Sequence, residues 1–338
     1  MNQEILSIIW FGILLTAWSV YLAMESFVVG SGMLQPFVTM DKNAQQAIAK
    51  PSGLHWDGIE VWLITAIGGT FAAFPAVFAK TLESLYVAFF LLLILLMIRG
   101  VTIELAYKDE NPTWQKVMSR AWNVSSLLIP LVFGVYFSNI FSGLKLGVGG
   151  NEGKFYEIFN LNSIVMGILF VAVCIVTGSA WIVLNANENR DTFQKKTYGF
   201  SFKASIVVSL GVIYEMMAFN TGEGIFGRSK LFNEAPALWA LPVLLVVVSL
   251  VNIFLTHKKA IWLSMIFGML VMPLIVVIGY LANYPYMLPS SLSPQLGINL
   301  FNAASSQYTL TVMFYAALIF VPIVLVYQGW KFWYFAKR

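Results

Sequence analysis

The stretch His55-Trp56-Asp57-Gly58-Ile59-Glu60-Val61-Trp62 runs directly into Leu63-Ile64-Thr65-Ala66-Ile67-Gly68-Gly69-Thr70-Phe71-Ala72-Ala73-Phe74-Pro75. Together they form an apolar, small-residue-rich segment long enough to cross a bilayer, with two acids at its mouth. On a helix the three-residue spacing puts Asp57 and Glu60 on one face, one above the other. Carboxylates where a helix enters lipid cost free energy unless something compensates or uses them. The fold turns on whether the rest of the chain also spans a membrane, and the function on what this pair serves.

The chain has 338 residues, of which 59% are hydrophobic and only 11% charged, with a mean hydropathy of +0.78. A soluble domain carries about 25% charged residues, so this chain lacks the charge to cover a water-facing surface. Apolar runs recur from end to end, continuous rather than alternating, which favours membrane helices over a barrel. We expect an all-α, multi-pass membrane protein forming a single integral-membrane domain over residues 1–338. Its nine or so spans fall near 5–34, 57–79, 82–106, 119–143, 159–186, 200–220, 235–256, 260–284 and 308–333. The first 30 residues lack the short basic start and cleavage site of a signal peptide, so the leading segment is expected to stay as a membrane helix. The lone Cys174 lies in an apolar run, which argues against a disulfide framework and a thiolate metal site. A net charge of +4 is no nucleic-acid signal; its distribution sets orientation instead.

With the N-terminus outside, the inner segments carry Lys42, Lys50, Lys108, Lys116, Arg120, Arg190, Lys195, Lys196, Lys203, Lys258, Lys259, Lys331, Lys337 and Arg338. The outer segments carry only Lys80, Lys145, Lys154, Arg228 and Lys230, and Arg99 lies within a span. Cytoplasmic loops are enriched in Lys and Arg, so the bias predicts N-terminus outside and C-terminus cytoplasmic. Glu25 then sits in the inner half of the first span, Asp57 and Glu60 at the inner end of the second, and Arg99 and Glu104 near the inner end of the third. Gly30-Ser31-Gly32 suits a close helix approach or a local break. Pro130, Pro242, Pro273 and Pro322 are expected to kink their spans. Glu215 lies late in the sixth span, towards the outer face.

The acids permit two readings. Asp57 and Glu60 suit either an ordinary acidic helix start, favoured by the helix dipole, or a proton relay. Glu25 lies deeper in a span that offers it no cation, which favours a functional or polar-partner role. For Arg99 and Glu104, five apart, a structural ion pair is expected. Haem would need an axial ligand facing an internal pocket, and the only two His are His55 and His257. His257, beside Lys258-Lys259 at a helix end, suits a solvated role there, and His55 a polar cap or proton donor. The chain alone is therefore not expected to carry a redox cofactor or a metal. Gly68-Gly69 suits helix packing, because no phosphate-binding loop accompanies it.

The segment from His55 to Ala66, continued by Phe71-Ala72-Ala73-Phe74-Pro75, resembles subunit II of cytochrome bd quinol oxidases. Gly30-Ser31-Gly32-Met33-Leu34, Arg99-Gly100 with Glu104, Ala303-Ala304-Ser305-Ser306-Gln307-Tyr308-Thr309-Leu310, Val321-Pro322 and Tyr327-Gln328-Gly329-Trp330 are similar too, in the family's order. The resemblance implies two four-helix bundles plus one peripheral helix, paired with a larger subunit I that holds haem b and haem d. It implies a haem-free subunit of an electrogenic oxidoreductase in the respiratory chain of a bacterial cytoplasmic membrane, stabilising the haem-bearing partner and contributing to proton uptake for oxygen reduction. The resemblance leaves room for a small accessory membrane subunit among the partners and for a structural quinone of the kind some relatives hold in subunit II. Asp57 matches the family's Trp-Asp-Gly acid, and Glu25 the first acid of its Asp-Gly-Phe-Asp pattern. The second acid of that pattern is Val28 here.

The expected proton path is thus Asp57, Glu60 and Glu25, with burial away from cations making the relay acid protonatable near neutral pH. Two other readings remain open. A proton-coupled secondary transporter suits buried acids and broken helices, and a purely structural partner would make the acids interface groups.

Overall fold

The structure, a computed structural model, describes residues 2–39, 41–186, 190–220 and 230–336. The helices, in chain order, are α1 (Gln3–Val38), α2 (Lys42–Gly53), α3 (Trp56–Ala73), α4 (Pro75–Ser84), α5 (Tyr86–Leu105), α6 (Pro112–Ser142), α7 (Leu161–Leu184), α8 (Arg190–Asn220), α9 (Lys230–Glu234), α10 (Ala240–His257), α11 (Ile261–Asn283), α12 (Leu300–Ala303) and α13 (Gln307–Ala336). Among the described residues eight helices are long and apolar enough to cross a membrane, or nine if the bent pair α3–α4 is one span. Helix starts follow the short polar side chains. Asn2, Asp41, Asn111 and Asn160 each accept a hydrogen bond from a backbone N–H in the first turn they precede, satisfying donors the helix leaves orphaned.

Two groups of four long helices make up the molecule. In the first, α3 and α6 pack on α1, and α5 packs on α6; in the second, α7, α8, α10 and α11 form a closed ring of neighbours. The groups meet where α7 packs on α1 and α6, and α13 leans on α1 and α3. Two glycine contacts allow the close meeting. A Cβ on Gly30 would collide with the Cys174 carbonyl and Gly178, and one on Gly134 would enter the backbone of Gly167. Gly30-Ser31-Gly32 is therefore a packing surface inside an unbroken α1, not a break.

The second span departs from its expected course. It ends at Phe74, and α4 turns away by 115° from Pro75 onward. Pro75 has no N–H to donate and its fixed φ suits the first position of a new helix. This leaves α3 with 18 residues, about 27 Å of rise. The exposed carbonyls at its end are recovered from far along the chain: Ser305 donates its N–H to Ala73 O at 2.8 Å and its hydroxyl to Ala72 O at 2.7 Å. Pro242 also departs from expectation, because it falls in the first turn of α10, where no intrahelical N–H is lost. Pro130, Pro273 and Pro322 lie within continuous helices.

At the α4 end the connections are hydrogen-bonded rather than loose. Strands β1 (Leu146–Gly147) and β2 (Gly150–Asn151) pair antiparallel, as do β3 (Tyr286–Leu288) and β4 (Ile298–Asn299). Leu144 and Ser291 tie the two loops together through backbone bonds of 3.0 and 2.9 Å. The Lys145 ammonium and the Lys154 N–H hold the Glu157 carboxyl below the usual range.

Because the α1–α7 seam has no room for a side chain, Gly30→Val is expected to destabilise the protein by about 1–3 kcal/mol, whereas Gly12→Ala, with open space at its Cβ, leaves it unchanged. Thermal unfolding of the two variants in mild detergent checks this.

Candidate functional site: one arginine between two glutamates

Three helices bring one charge each to a common point. Glu25 comes from the later part of α1, Glu60 from the second turn of α3, and Arg99 from the last third of α5. Arg99 is fully buried and Glu25 is 3% exposed. The same nitrogen, Arg99 Nη2, donates to Glu25 Oε1 at 2.5 Å and to Glu60 Oε1. The expected Arg99–Glu104 pair does not form. Five residues on a helix turn the side chains away from one another, and Glu104 instead accepts from Lys108 Nζ and Trp56 Nε1, both at 3.3 Å. Glu25 likewise is not remote from cations, because its partner comes from another helix.

The site is covered at the end that the charge bias places in the cytoplasm. The guanidinium of Arg99 lies 5.6 Å from the Trp56 ring centroid, and the flat contact of Gly100 lets the indole approach. An aromatic face beside a guanidinium contributes attraction as well as shielding from water. Asp57, next to Trp56, is exposed at the first turn of α3, and its Oδ1 accepts from Gly58 N at 2.7 Å. Asp57 and Glu60 thus share a helix but not an environment: one faces outward, the other is drawn inward by Arg99.

His55 is buried, 7% exposed, with its ring edge-on to Trp181 at 5.7 Å. No hydrogen bond from its side chain caps α3, so the expected cap role is not the one it plays. His257 is exposed in the last turn of α10, its Nδ1 3.4 Å from Tyr198 Oη. Among the described residues no group of three or more His, Cys, Asp or Glu is placed to hold a metal ion. Val28 is fully buried in the core, and the second carboxylate beside Arg99 is supplied by α3 instead. Glu215 is buried on α8 and neither of its oxygens has a hydrogen-bond partner; it is not part of the cluster.

Sequence reasoning passed over Tyr21 and Gln35. Tyr21 is fully buried one turn before Glu25, on the same face of α1, with no hydrogen-bond partner for its hydroxyl. An aromatic inside an apolar run carries no signal beyond packing. Gln35 was the detectable one, as an amide within an apolar helix. Fully buried, it donates to Tyr107 Oη at 2.9 Å and Gln45 O at 3.0 Å, and accepts from Ser119 Oγ at 2.7 Å. Between α1, α3 and α13 lies an apolar groove of about 860 Å³. Gln328 lines it and reaches Gly58 O at 3.0 Å. Such a lining suits a hydrocarbon tail or a neighbouring helix.

Chemically, the cluster holds two acids against one permanent cation. A guanidinium keeps its proton in proteins, so the three groups reach neutrality only when one carboxyl is protonated. Removing the cation would leave two buried acids uncompensated. Arg99→Met is therefore expected to destabilise the protein by about 3–5 kcal/mol. Adding Glu25→Gln and Glu60→Gln to it should recover most of the loss, as read by thermal unfolding.

Sequence and structure comparisons bear on what such a cluster serves. The family model for cytochrome bd terminal oxidase subunit II matches residues 6–335. The chain is 29% identical to the cytochrome bd-I ubiquinol oxidase subunit 2 of Escherichia coli strain K12, over 98% of this chain and 95% of that one. It is 28% identical to the cytochrome bd ubiquinol oxidase subunit 2 of Bacillus subtilis strain 168, over 98% and 96%. A chain of the bd oxidase of Geobacillus thermodenitrificans superimposes with a TM-score of 0.70 over 98% of this chain and 99% of that one, at 16% identity. With the family model covering nearly its whole length, the chain belongs to the cytochrome bd terminal oxidase subunit II family.

Proposed function

We propose that this chain is the haem-free subunit of a quinol:oxygen oxidoreductase in a bacterial cytoplasmic membrane, and that it delivers cytoplasmic protons towards a haem-bearing subunit I. The observation that carries the reading is the sharing of one Arg99 nitrogen by carboxylates from two helices, the outer carboxylate lying one turn inside the exposed Asp57. Curated relatives named as ubiquinol oxidase subunits supply the chemistry that would draw protons inward. Haem b and haem d belong to the partner in this reading. Neither His of this chain is offered as an axial ligand.

Asp57 collects a proton at the helix mouth, where the dipole of α3 holds its carboxylate in place. Glu60 receives it one turn deeper. Once Glu60 is neutral, its hold on Arg99 weakens and the guanidinium turns its full attraction to Glu25. Transfer from Glu60 to Glu25 reverses that preference, so Arg99 swings its favour between the two acids without leaving either. At each step one carboxylate and one guanidinium remain paired, which avoids an isolated buried charge. Glu25 then releases the proton beyond α1, past the Tyr21 hydroxyl, towards the partner. A path that moves a proton between carboxyls beside a fixed cation needs no large helix motion.

Replacing Asp57 with Asn, or Glu25 with Gln, is expected to slow oxygen consumption of the purified complex by about 10²-fold or more, the scale of a lost proton-transfer group. The haem b and haem d bands of the reduced-minus-oxidised spectrum should stay at wild-type height. Turnover unchanged in both variants would remove the relay role, and loss of the haem bands would assign the acids to assembly.

A further inference from the structure

The second helix group has its own polar opening, remote from the Arg99 cluster. Where α7 and α10 end and α8 and α11 begin, a cleft of about 40 Å³ is lined by Ser179, Thr197, Tyr198, Ser201 and Lys259, room for about three waters by volume. Ser179 is 3% exposed and its hydroxyl has no hydrogen-bond partner. The start of α11 opens onto the same cleft through Ala260 and Ile261, and no side chain caps it. The Ala260, Ile261 and Ser264 N–H groups are taken by Leu255 O, Lys259 O and Ala260 O, which leaves, among the described residues, those of Trp262 and Leu263 in the first turn of this 23-residue helix without a backbone acceptor.

Lys259 lines the same place. It is the single non-glycine residue with a positive φ among the described residues, at +57°, and it closes α10 in the left-handed region, its N–H bonding Thr256 O and that of Ala260 bonding Leu255 O. That turn folds its ammonium back to 5.3 Å from the Tyr198 ring centroid. The first part of α8 and the α10–α11 turn carry Arg190, Lys195, Lys196, Lys203, Lys258 and Lys259, with Asp191 the acid among those described residues; of these cations Lys259 lines the cleft, while Lys196 reaches Val38 O at 2.7 Å. On the adjoining outer surfaces Phe254 and Trp262 are 59% and 64% exposed, an apolar flank beside a cationic mouth.

We propose that this cleft, at the positive end of the α11 dipole, binds a phosphate ester, with the Lys259 ammonium and the Ser179 hydroxyl as its donors. A helix N-terminus and a lysine together favour an oxyanion. Because the cleft sits at the predicted cytoplasmic end, with apolar side chains beside it, the ester is carried by an anionic phospholipid of that leaflet. Basic openings between membrane helices on this side hold such headgroups.

The test uses the delipidated complex in detergent, titrated with dioleoyl phosphatidylglycerol, dioleoyl phosphatidylcholine or inorganic phosphate and followed by thermal shift. Lys259→Asn removes the charge while keeping a residue that tolerates positive φ, and Ser179→Ala removes the orphan hydroxyl. Phosphatidylglycerol is expected to bind about fivefold more weakly to Lys259→Asn and more weakly to Ser179→Ala, with phosphatidylcholine indifferent to both. The same dependence with inorganic phosphate and not with the lipid would keep the phosphate site but overturn its lipid source. Equal binding of both anionic probes by wild type and variants of unchanged unliganded midpoint would overturn the site. Should Lys259→Asn lower that midpoint, Lys259→Gly, which relieves the backbone, replaces it.

Discussion

The structure depends on one buried guanidinium. Arg99 is fully enclosed, and a cation inside a membrane helix is tolerated only with anions beside it. Glu25 and Glu60 supply them from two other helices, so the ion cluster fixes how α1, α3 and α5 are rotated and how deep each sits. Trp56 then closes it from one side. A hydrophobic replacement of such a cluster is often neutral or stabilising. That this chain keeps three charges where apolar residues would pack favours a use for them beyond holding helices together.

The remainder of the framework serves the same rotation. Glycines at the α1–α7 contact let the backbones meet, which leaves the opposite side of α1 free to carry Tyr21 and Glu25 inward. The break at Phe74 shortens α3, and Ser305 covers its open carbonyls. Residues more than 200 positions apart thus hold the helix whose other end bears Asp57 and Glu60. A membrane helix can end early only where something repairs its backbone.

Much of this was legible in the sequence. Span lengths and the acidic positions follow from transfer free energies, which act on each residue separately. Pairing does not. Arg99 and Glu104 are near in sequence and invited a local ion pair, but a five-residue step separates their faces, and the partners are 74 and 39 positions away. Hydropathy alone also carried the second span through Pro75, because an apolar run gives no signal of where the helix turns. Tyr21 was invisible for a different reason: its significance lies in an orphan hydroxyl, and an aromatic in an apolar run looks like packing until its neighbours are known.

The central claim is that the Glu25–Arg99–Glu60 cluster exchanges a proton when the oxidase turns over. Infrared difference spectra of the complex, reduced minus oxidised, in the carboxylic acid C=O region test it most directly, with Glu25→Gln and Glu60→Gln as assignments. The account predicts a C=O band that shifts in deuterated water and is lost in one variant and altered in the other. The same band, at the same intensity in both variants, would contradict it.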